Sequence, residues 1–162
     1  MDTREKILSR DGLHAVLDEH RRSGWKIVLA NGVFDLLHAG HVRYLQAARA
    51  EGDLLVVGIN SDASTRGLKG AGRPILTERA RATLVAALAV VDYVVIFDES
   101  DVNSLLRELH PDIHAKGTDY TPETVPEREL ASVLGIRVAI VGDLKRHSTR
   151  DLLARIQQRN DG

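Results

Sequence analysis

The chain has no cysteine, only one methionine and one tryptophan, and no apolar run of bilayer-spanning length. Without cysteine it can form neither a disulfide framework nor a thiolate metal site, which suits a reducing compartment. The amino-terminal residues "MDTREKILSRDG" contain no apolar core of signal-peptide length, and no stretch approaches the roughly 20 apolar residues of a membrane span. We therefore expect a cytoplasmic protein that does not enter a membrane.

An excess of positive charge is also missing. Lys and Arg total 22 against 23 acidic residues, so no global basic field favours binding to nucleic acid. The length of 162 residues suits a single domain that can bury a sizeable core without a metal. We expect one domain over residues 1–162, with loosely ordered ends at 1–10 and 158–162.

Apolar periodicity predicts helices that alternate with short buried strands. The predicted strands are "WKIVLA", "DLLVVGIN", "DYVVIFD", "DIHAKG" and "IRVAIVG", and the segments between them have helical spacing. Thr77 and Ser148 are positioned as helix N-caps, and Pro126 suits a first helical turn. This alternation predicts an α/β domain that is Rossmann-like, with a parallel sheet of about five strands and helices on both faces.

Two polar segments interrupt this pattern and are predicted to be loops. Residues 61–76, "SDASTRGLKGAGRPIL", carry three glycines and three basic side chains, and residues 117–125, "GTDYTPETV", form the second segment. Polar loops on a rigid sheet are common places for function.

The stretch "NGVFDLLHAGH" runs from the first strand into a helix and holds two histidines three residues apart. Ligands of open parallel sheets bind at the carboxyl ends of the strands, and a helix amino terminus attracts anions. Gly32 and Gly40 permit close backbone approach, while His38 and His41 can each donate a ring N–H to a phosphate oxygen. Capping or packing by a single histidine is the structural alternative.

This stretch resembles the His-x-Gly-His signature of the nucleotidyltransferase superfamily that includes cytidylyltransferases and pantetheine-phosphate adenylyltransferase. Together with "LKGAGRPI", "HAKGTDY" and "HSTRDLLARI" it is similar to the nucleotidyltransferase domain of bacterial ADP-heptose synthases, from about residue 5 to residue 157. The resemblance implies that a sugar-phosphate oxygen attacks the α-phosphorus of ATP and expels pyrophosphate. The product would be ADP-heptose, made from D-glycero-β-D-manno-heptose 1-phosphate.

Such a reaction requires that the two anionic reactants are aligned and that the charge on the phosphoryl oxygens is stabilised. The resemblance therefore implies cationic side chains and hydrogen-bond donors at the site. His38, His41 and Lys69 are the expected catalytic residues, with Lys69 delivered by its glycine-rich loop. Acceptor binding is expected from Lys69 and from Asp35, Asn60, Asp62 and Arg73. Mg²⁺ would be held mainly by substrate phosphates, with no dedicated protein site.

The resemblance also implies a set of nucleotide-binding residues: Gly32, Val33, Phe34, Gly40, His41, Arg81, Lys116, Gly117, Asp119, Ser148 and Thr149, with His147 beside the last two. Several of these residues also have a structural explanation that involves no ligand. Lys69, Arg73 and Arg81 suit solvated charges, Asp35 and Asp62 suit turns, and Ser148 suits a helix cap alone. Histidines 14, 20, 110 and 114 are expected to be surface or packing residues.

Departures from the family patterns leave other functions open. Asp143 stands where glycerol-phosphate and choline-phosphate cytidylyltransferases usually have arginine, which favours ATP over CTP, whereas Ala30, Val33 and Arg150 depart from the heptose pattern. The alternatives are a CTP-dependent glycerol-3-phosphate or polyol-phosphate cytidylyltransferase and a non-catalytic nucleotide-binding module. A class I aminoacyl-tRNA synthetase fragment fits poorly, because the chain lacks a Lys-Met-Ser-Lys-Ser loop and a basic balance. A homodimer is possible.

Overall fold

The computed structural model describes residues 1–144 and 148–160. Its strands are β1 (Ile27–Gly32), β2 (Leu54–Asn60), β3 (Tyr93–Phe97), β4 (Ile113–Gly117) and β5 (Arg137–Val141). Its helices are α1 (Thr3–Lys6), α2 (Arg10–Arg22), α3 (Ala39–Arg49), α4 (Asp62–Lys69), α5 (Glu78–Ala86), α6 (Asn103–Leu109), α7 (Arg128–Val133) and α8 (Thr149–Asn160). The predicted alternation of strands and helices is thereby confirmed.

The five strands form one parallel sheet in the order β3-β2-β1-β4-β5. β1 is central, and its residues Ile27 to Ala30 are fully buried, as expected for a strand covered on both faces. Its two neighbours are β2, with Val28 opposite Leu55, and β4, with Val28 opposite Ile113. The carboxyl ends of all five strands therefore lie along one edge of the sheet.

Two apolar clusters cover the two faces of this sheet. One packs α3 and α5 against β1 and β2, with Leu45 and Val85 fully buried, and the other packs α2 and α6, with Leu17 and Leu105 fully buried. The expectation of helices on both faces is confirmed. In the described part of the chain, no helix has the length and apolar content needed to cross a bilayer.

The segment 61–76 differs from the predicted loop, because its first half is α4. Ser61 is the N-cap and its hydroxyl accepts a hydrogen bond from the Ser64 amide, while Ser64 and Thr65 are buried against the sheet. The helix ends at Gly70, which has a φ of 92°, a conformation that glycine adopts without strain. Only residues 70–77 connect α4 to α5 without regular structure.

The amino terminus, for which we expected loose order, contains α1, and Asp2 and Glu5 form a capping box there. Ile7 makes a parallel bridge to Val94 in β3, and the Lys6 ammonium donates to the carbonyl of Val91 at 2.7 Å. These contacts tie the first residues to the edge of the sheet.

Candidate active site

The two signature histidines lie at the amino end of α3, directly after the loop that follows β1. His38 is the N-cap, and its Nδ1 accepts a hydrogen bond from the Gly40 amide at 3.1 Å. Because that nitrogen is an acceptor, Nε2 carries the proton in the neutral ring and is the remaining donor. The His41 ring stacks on His38, with ring centroids 3.8 Å apart and planes inclined by 26°. Both rings are partly exposed and can reach a ligand at this edge.

Phe34 packs against His41 of the histidine pair. It adopts a left-handed φ of 51°, which is uncommon for a residue other than glycine, and its buried ring lies 5.2 Å from the His41 ring. Gly32 makes room for this ring, because a Cβ at that position would lie 3.0 Å from the Phe34 side chain. Gly32 thus allows the close approach of this ring, and its contact with a nucleotide stays a prediction.

Asp35 is buried rather than turned toward a substrate. It is 2% exposed, and its carboxylate accepts hydrogen bonds from the Arg73 Nε at 2.7 Å and from the amides of Ile75 and Leu76. Burial raises its pKa, but the two amides and the Arg73 guanidinium outweigh this and lower it below the usual value. The side chain therefore joins the loop after β1 to the loop before α5, and this differs from the expected acceptor contact.

Arg81 also differs from its expected place. The side chain is fully buried in α5, and its guanidinium donates to the carbonyls of Val33, Asn60 and Leu76. It also donates to the Asp62 carboxylate at 2.9 Å. In this arrangement the guanidinium is buried among protein partners, and Asp62 is held by an ion pair at the start of α4.

Lys69 is an exposed residue at the carboxyl end of α4 and not part of a glycine-rich loop. Glycines 70 and 72, both with positive φ, follow it and separate it from Arg73. At the other end of this helix, Asn60 is buried and donates to the Ser64 hydroxyl at 3.0 Å. Asn60 therefore contacts α4 in the structure, whereas the sequence suggested an acceptor contact.

Lys116 is the penultimate residue of β4 at the same edge and is 7% exposed. Its ammonium lies 3.4 Å from the Glu127 carboxylate and 4.6 Å from the centre of the Tyr120 ring. Glu127 was missed by the sequence reasoning, since nothing in "PERE" marks a buried partner for a lysine eleven positions earlier. Gly117 ends the strand, and Asp119 lies in the turn that follows it.

The start of α8 meets the loop that holds the histidines. Ser148 forms a capping box with Asp151, in which its hydroxyl accepts from the Asp151 amide and its own amide donates to the carboxylate. The Thr149 hydroxyl donates to the Leu36 carbonyl at 3.4 Å, two residues before His38. The cap at Ser148 is confirmed. His147 lies outside the described residues.

His114 is fully buried beneath the site, and its Nε2 lies 3.0 Å from the Asn31 side-chain oxygen. Burial, followed by the nearby Lys116 charge, lowers the pKa of His114 to about 3, so the ring is neutral at physiological pH. This agrees with the packing role expected for it.

The described residues contain no group of three or more His, Cys, Asp or Glu side chains arranged to hold a metal ion. The carboxylates of Asp35 and Asp62 contact arginines. Binding of Mg²⁺ through the substrate phosphates stays a prediction.

A parallel sheet whose central strand leads into a histidine-capped helix at the ligand edge defines a Rossmann-like nucleotide-handling domain. The chain belongs to the cytidylyltransferase-like family, whose model matches residues 29–156. Among curated proteins it is similar to bifunctional protein HldE of Syntrophotalea carbinolica, with 51% identity over 95% of this chain and 31% of that protein. HldE of Pelobacter propionicus is 50% identical over 98% of this chain and 32% of its own length. The chain thus spans about a third of these relatives.

Two solved structures are similar as well. The lipopolysaccharide core biosynthesis protein of Thermoplasma volcanium is 32% identical with a TM-score of 0.65, covering 75% of this chain and all of that chain. Pantoate-beta-alanine ligase of Francisella tularensis, solved in complex with beta-gamma ATP and beta-alanine, has a TM-score of 0.69 at 14% identity. It covers 91% of this chain and 72% of the ligase, and it shows the fold alone.

Proposed function

We propose that this chain is an adenylyltransferase that joins ATP and D-glycero-β-D-manno-heptose 1-phosphate, giving ADP-heptose and pyrophosphate. The observation that carries the proposal is the stacked pair of His38 and His41 at the amino end of α3, at the edge of the sheet where the strands end. The acceptor follows from the resemblance to ADP-heptose synthases. The similarity to HldE proteins and to a protein of lipopolysaccharide core biosynthesis supports it.

In the proposed reaction a phosphate oxygen of the sugar attacks the α-phosphorus of ATP. A new P–O bond forms while the bond to the β-phosphate oxygen breaks, and the electron pair leaves with pyrophosphate. His38 and His41 would donate hydrogen bonds to the α- and β-phosphates at the amino end of α3, where charge develops. Lys69 would add a cation from the end of α4, and Mg²⁺, bound through the phosphates, would neutralise part of their charge.

The remaining residues would hold the reactants. Lys116 would bind the nucleotide, and its ammonium lies beside Glu127 and Tyr120. The start of α8, at Ser148 and Thr149, lies at the same edge of the sheet and would bind the nucleotide as well. The Ser148 oxygen accepts from its own helix, which leaves the hydroxyl proton for a phosphate oxygen. Arg73, partly exposed beside Asp35, is the candidate for the sugar phosphate.

Asp143 favours ATP over the alternative substrate CTP. Its carboxylate pairs with Arg43 at 3.0 Å and its carbonyl accepts from the Thr118 hydroxyl. A carboxylate cannot supply the cationic contact that arginine gives at this place in cytidylyltransferases.

The test is a panel of ATP and CTP against heptose 1-phosphate and glycerol 3-phosphate, with pyrophosphate release as the readout. We expect turnover with ATP and heptose 1-phosphate only, and its loss in a His38→Ala variant. Turnover with CTP alone would identify a cytidylyltransferase instead. Binding of ATP in calorimetry without turnover of any acceptor would identify a non-catalytic module.

Location and assembly stay predictions. We propose a cytoplasmic enzyme and, following the superfamily, a homodimer. Cell fractionation and light scattering of the purified chain test these two points.

A further inference from the structure

Arg81 joins three segments around the candidate site, at Val33, at Asn60 and Asp62, and at Leu76. Its Nη1 donates to the Val33 carbonyl at 2.7 Å and to the Asn60 carbonyl at 2.8 Å, its Nε donates to Leu76 at 3.0 Å, and its Nη2 donates to Asp62 at 2.9 Å. These contacts use four of the five guanidinium N–H groups. A fully buried charge is stable only with such partners, so the side chain is fixed where it lies.

The contact with Val33 reaches the histidines through one residue. Holding the Val33 carbonyl fixes the orientation of the peptide that leads into Phe34, whose left-handed φ of 51° turns its ring toward His41 at 5.2 Å. His41 in turn stacks on His38 at 3.8 Å. The guanidinium therefore acts on the ring pair through Phe34 while touching neither ring.

We propose that Arg81 is a positioning residue for the paired histidines and not a nucleotide contact. The proposal rests on the proposed function, because it assigns Arg81 to the orientation of groups that would meet the phosphates in the transition state. Misplacing such donors by a fraction of an ångström slows chemistry more than it weakens binding. A contact with the nucleotide itself would require Arg81 to abandon its carbonyl partners.

The structure offers a conservative variant and a matched control. Arg81→Lys keeps a positive charge near Asp62 but cannot bridge the carbonyls of Val33, Asn60 and Leu76 together. The Asp35 contacts to Arg73, Ile75 and Leu76 join the same two loops independently, which favours folding of this variant. Arg79→Lys is the control, since Arg79 is exposed on the same helix two residues earlier.

Steady-state kinetics with ATP and heptose 1-phosphate form the first arm. We expect Arg81→Lys to lower kcat by about tenfold or more while KM for ATP changes by less than about threefold, and Arg79→Lys to match the wild type. A rise of about tenfold in KM for ATP with unchanged kcat would show that Arg81 binds the nucleotide and would overturn the proposal. If Arg81→Lys does not fold, Phe34→Leu is used instead, because it removes the ring that connects Arg81 to His41. An unchanged kcat in Phe34→Leu would also overturn the proposal.

The second arm needs no substrate. Ring signals of the histidines in the NMR spectrum of the unliganded protein should move for His38 and His41 in Arg81→Lys, but not for the exposed His14. Unchanged signals for both signature histidines would contradict the proposal. If the wild type turned over no nucleotide and acceptor pair, the proposed function would fail, while this arm would still decide whether Arg81 positions the rings.

Discussion

At the scale of single residues, His38 uses its two ring nitrogens differently. Nδ1 accepts a hydrogen bond from an amide of its own helix, and Nε2 is the nitrogen that would donate to a phosphate. A capping role and a ligand role, which the sequence presents as alternatives, are thus compatible in one side chain. His38, not His41, is the N-cap of α3, so a substitution of His41 leaves the capping hydrogen bond of His38 in place.

His41→Ala should lower turnover by about 100-fold or more, because it removes a preorganised donor for the developing charge. The midpoint of thermal unfolding should change little, since the ring is only partly buried. His14→Ala, at an exposed site on α2, is the control. Normal specific activity of the folded His41→Ala protein would show that the ring is structural.

Lys69→Ala should reduce kcat more than it raises KM for ATP, because an exposed ammonium at the end of α4 would engage after both substrates enter. Steady-state kinetics with ATP as the varied substrate measure both constants. Lys26→Ala serves for comparison, as Lys26 is exposed before β1 at the opposite end of the strands. An equal loss of ATP binding would place Lys69 in ground-state recognition.

The motif residues could be predicted from the sequence, but their buried charge partners could not. His38, His41 and Gly32 form a local pattern, and the structure puts them together as expected. The Arg73–Asp35 and Arg81–Val33 contacts join residues 38 and 48 positions apart. Neither periodicity nor composition pairs such distant groups, so Arg81 and Asp35 seemed free to meet a ligand.

At the scale of elements, caps were predictable and α4 was not. Thr77 and Ser148 precede strongly periodic segments, and both cap helices through their hydroxyls. In α4 the face toward the sheet consists of Ser64 and Thr65, which give no apolar period, and Gly67 further lowers helix propensity. Its helical form depends on tertiary contacts, including the Ser64 hydroxyl donating to the Glu99 carbonyl at 2.8 Å.

Ser148→Ala separates the two roles of this cap. Loss of the hydrogen bond from Asp151 should reduce the free energy of unfolding by about 1 kcal/mol. If the hydroxyl also meets the nucleotide, KM for ATP should rise several-fold in addition. Ser9→Ala removes the equivalent cap of α2 and should affect stability alone. An unchanged KM in Ser148→Ala would limit Ser148 to capping.

At the scale of the whole molecule, the buried His114 makes stability depend on pH. Its folded pKa of about 3 lies below the value of 6.5 for a free histidine. Between these values the unfolded chain binds a proton that the folded chain excludes, so the free energy of unfolding falls as pH decreases through this window. The slope from this group is at most about 1.4 kcal/mol per pH unit.

Denaturant unfolding at pH 7, 6, 5 and 4 tests this dependence in the wild type and in His114→Gln. We expect the wild type to lose stability relative to the variant as pH falls, because glutamine does not titrate and can still bond to Asn31. Parallel pH profiles of the two proteins would mean that His114 does not contribute.

The central position of β1 has a consequence for biosynthesis. On the ribosome, β1, β2 and β3 emerge well before β4, so one hydrogen-bonding edge of the first strand stays open for several seconds of translation. The residues along that edge, Val28 to Ala30, are apolar, and Ile113 to Ala115 of β4 pair with them in the finished sheet. A chain cut short before residue 113 would keep the edge exposed and recruit strands from other molecules, so we expect such truncations to aggregate and to depend on chaperones.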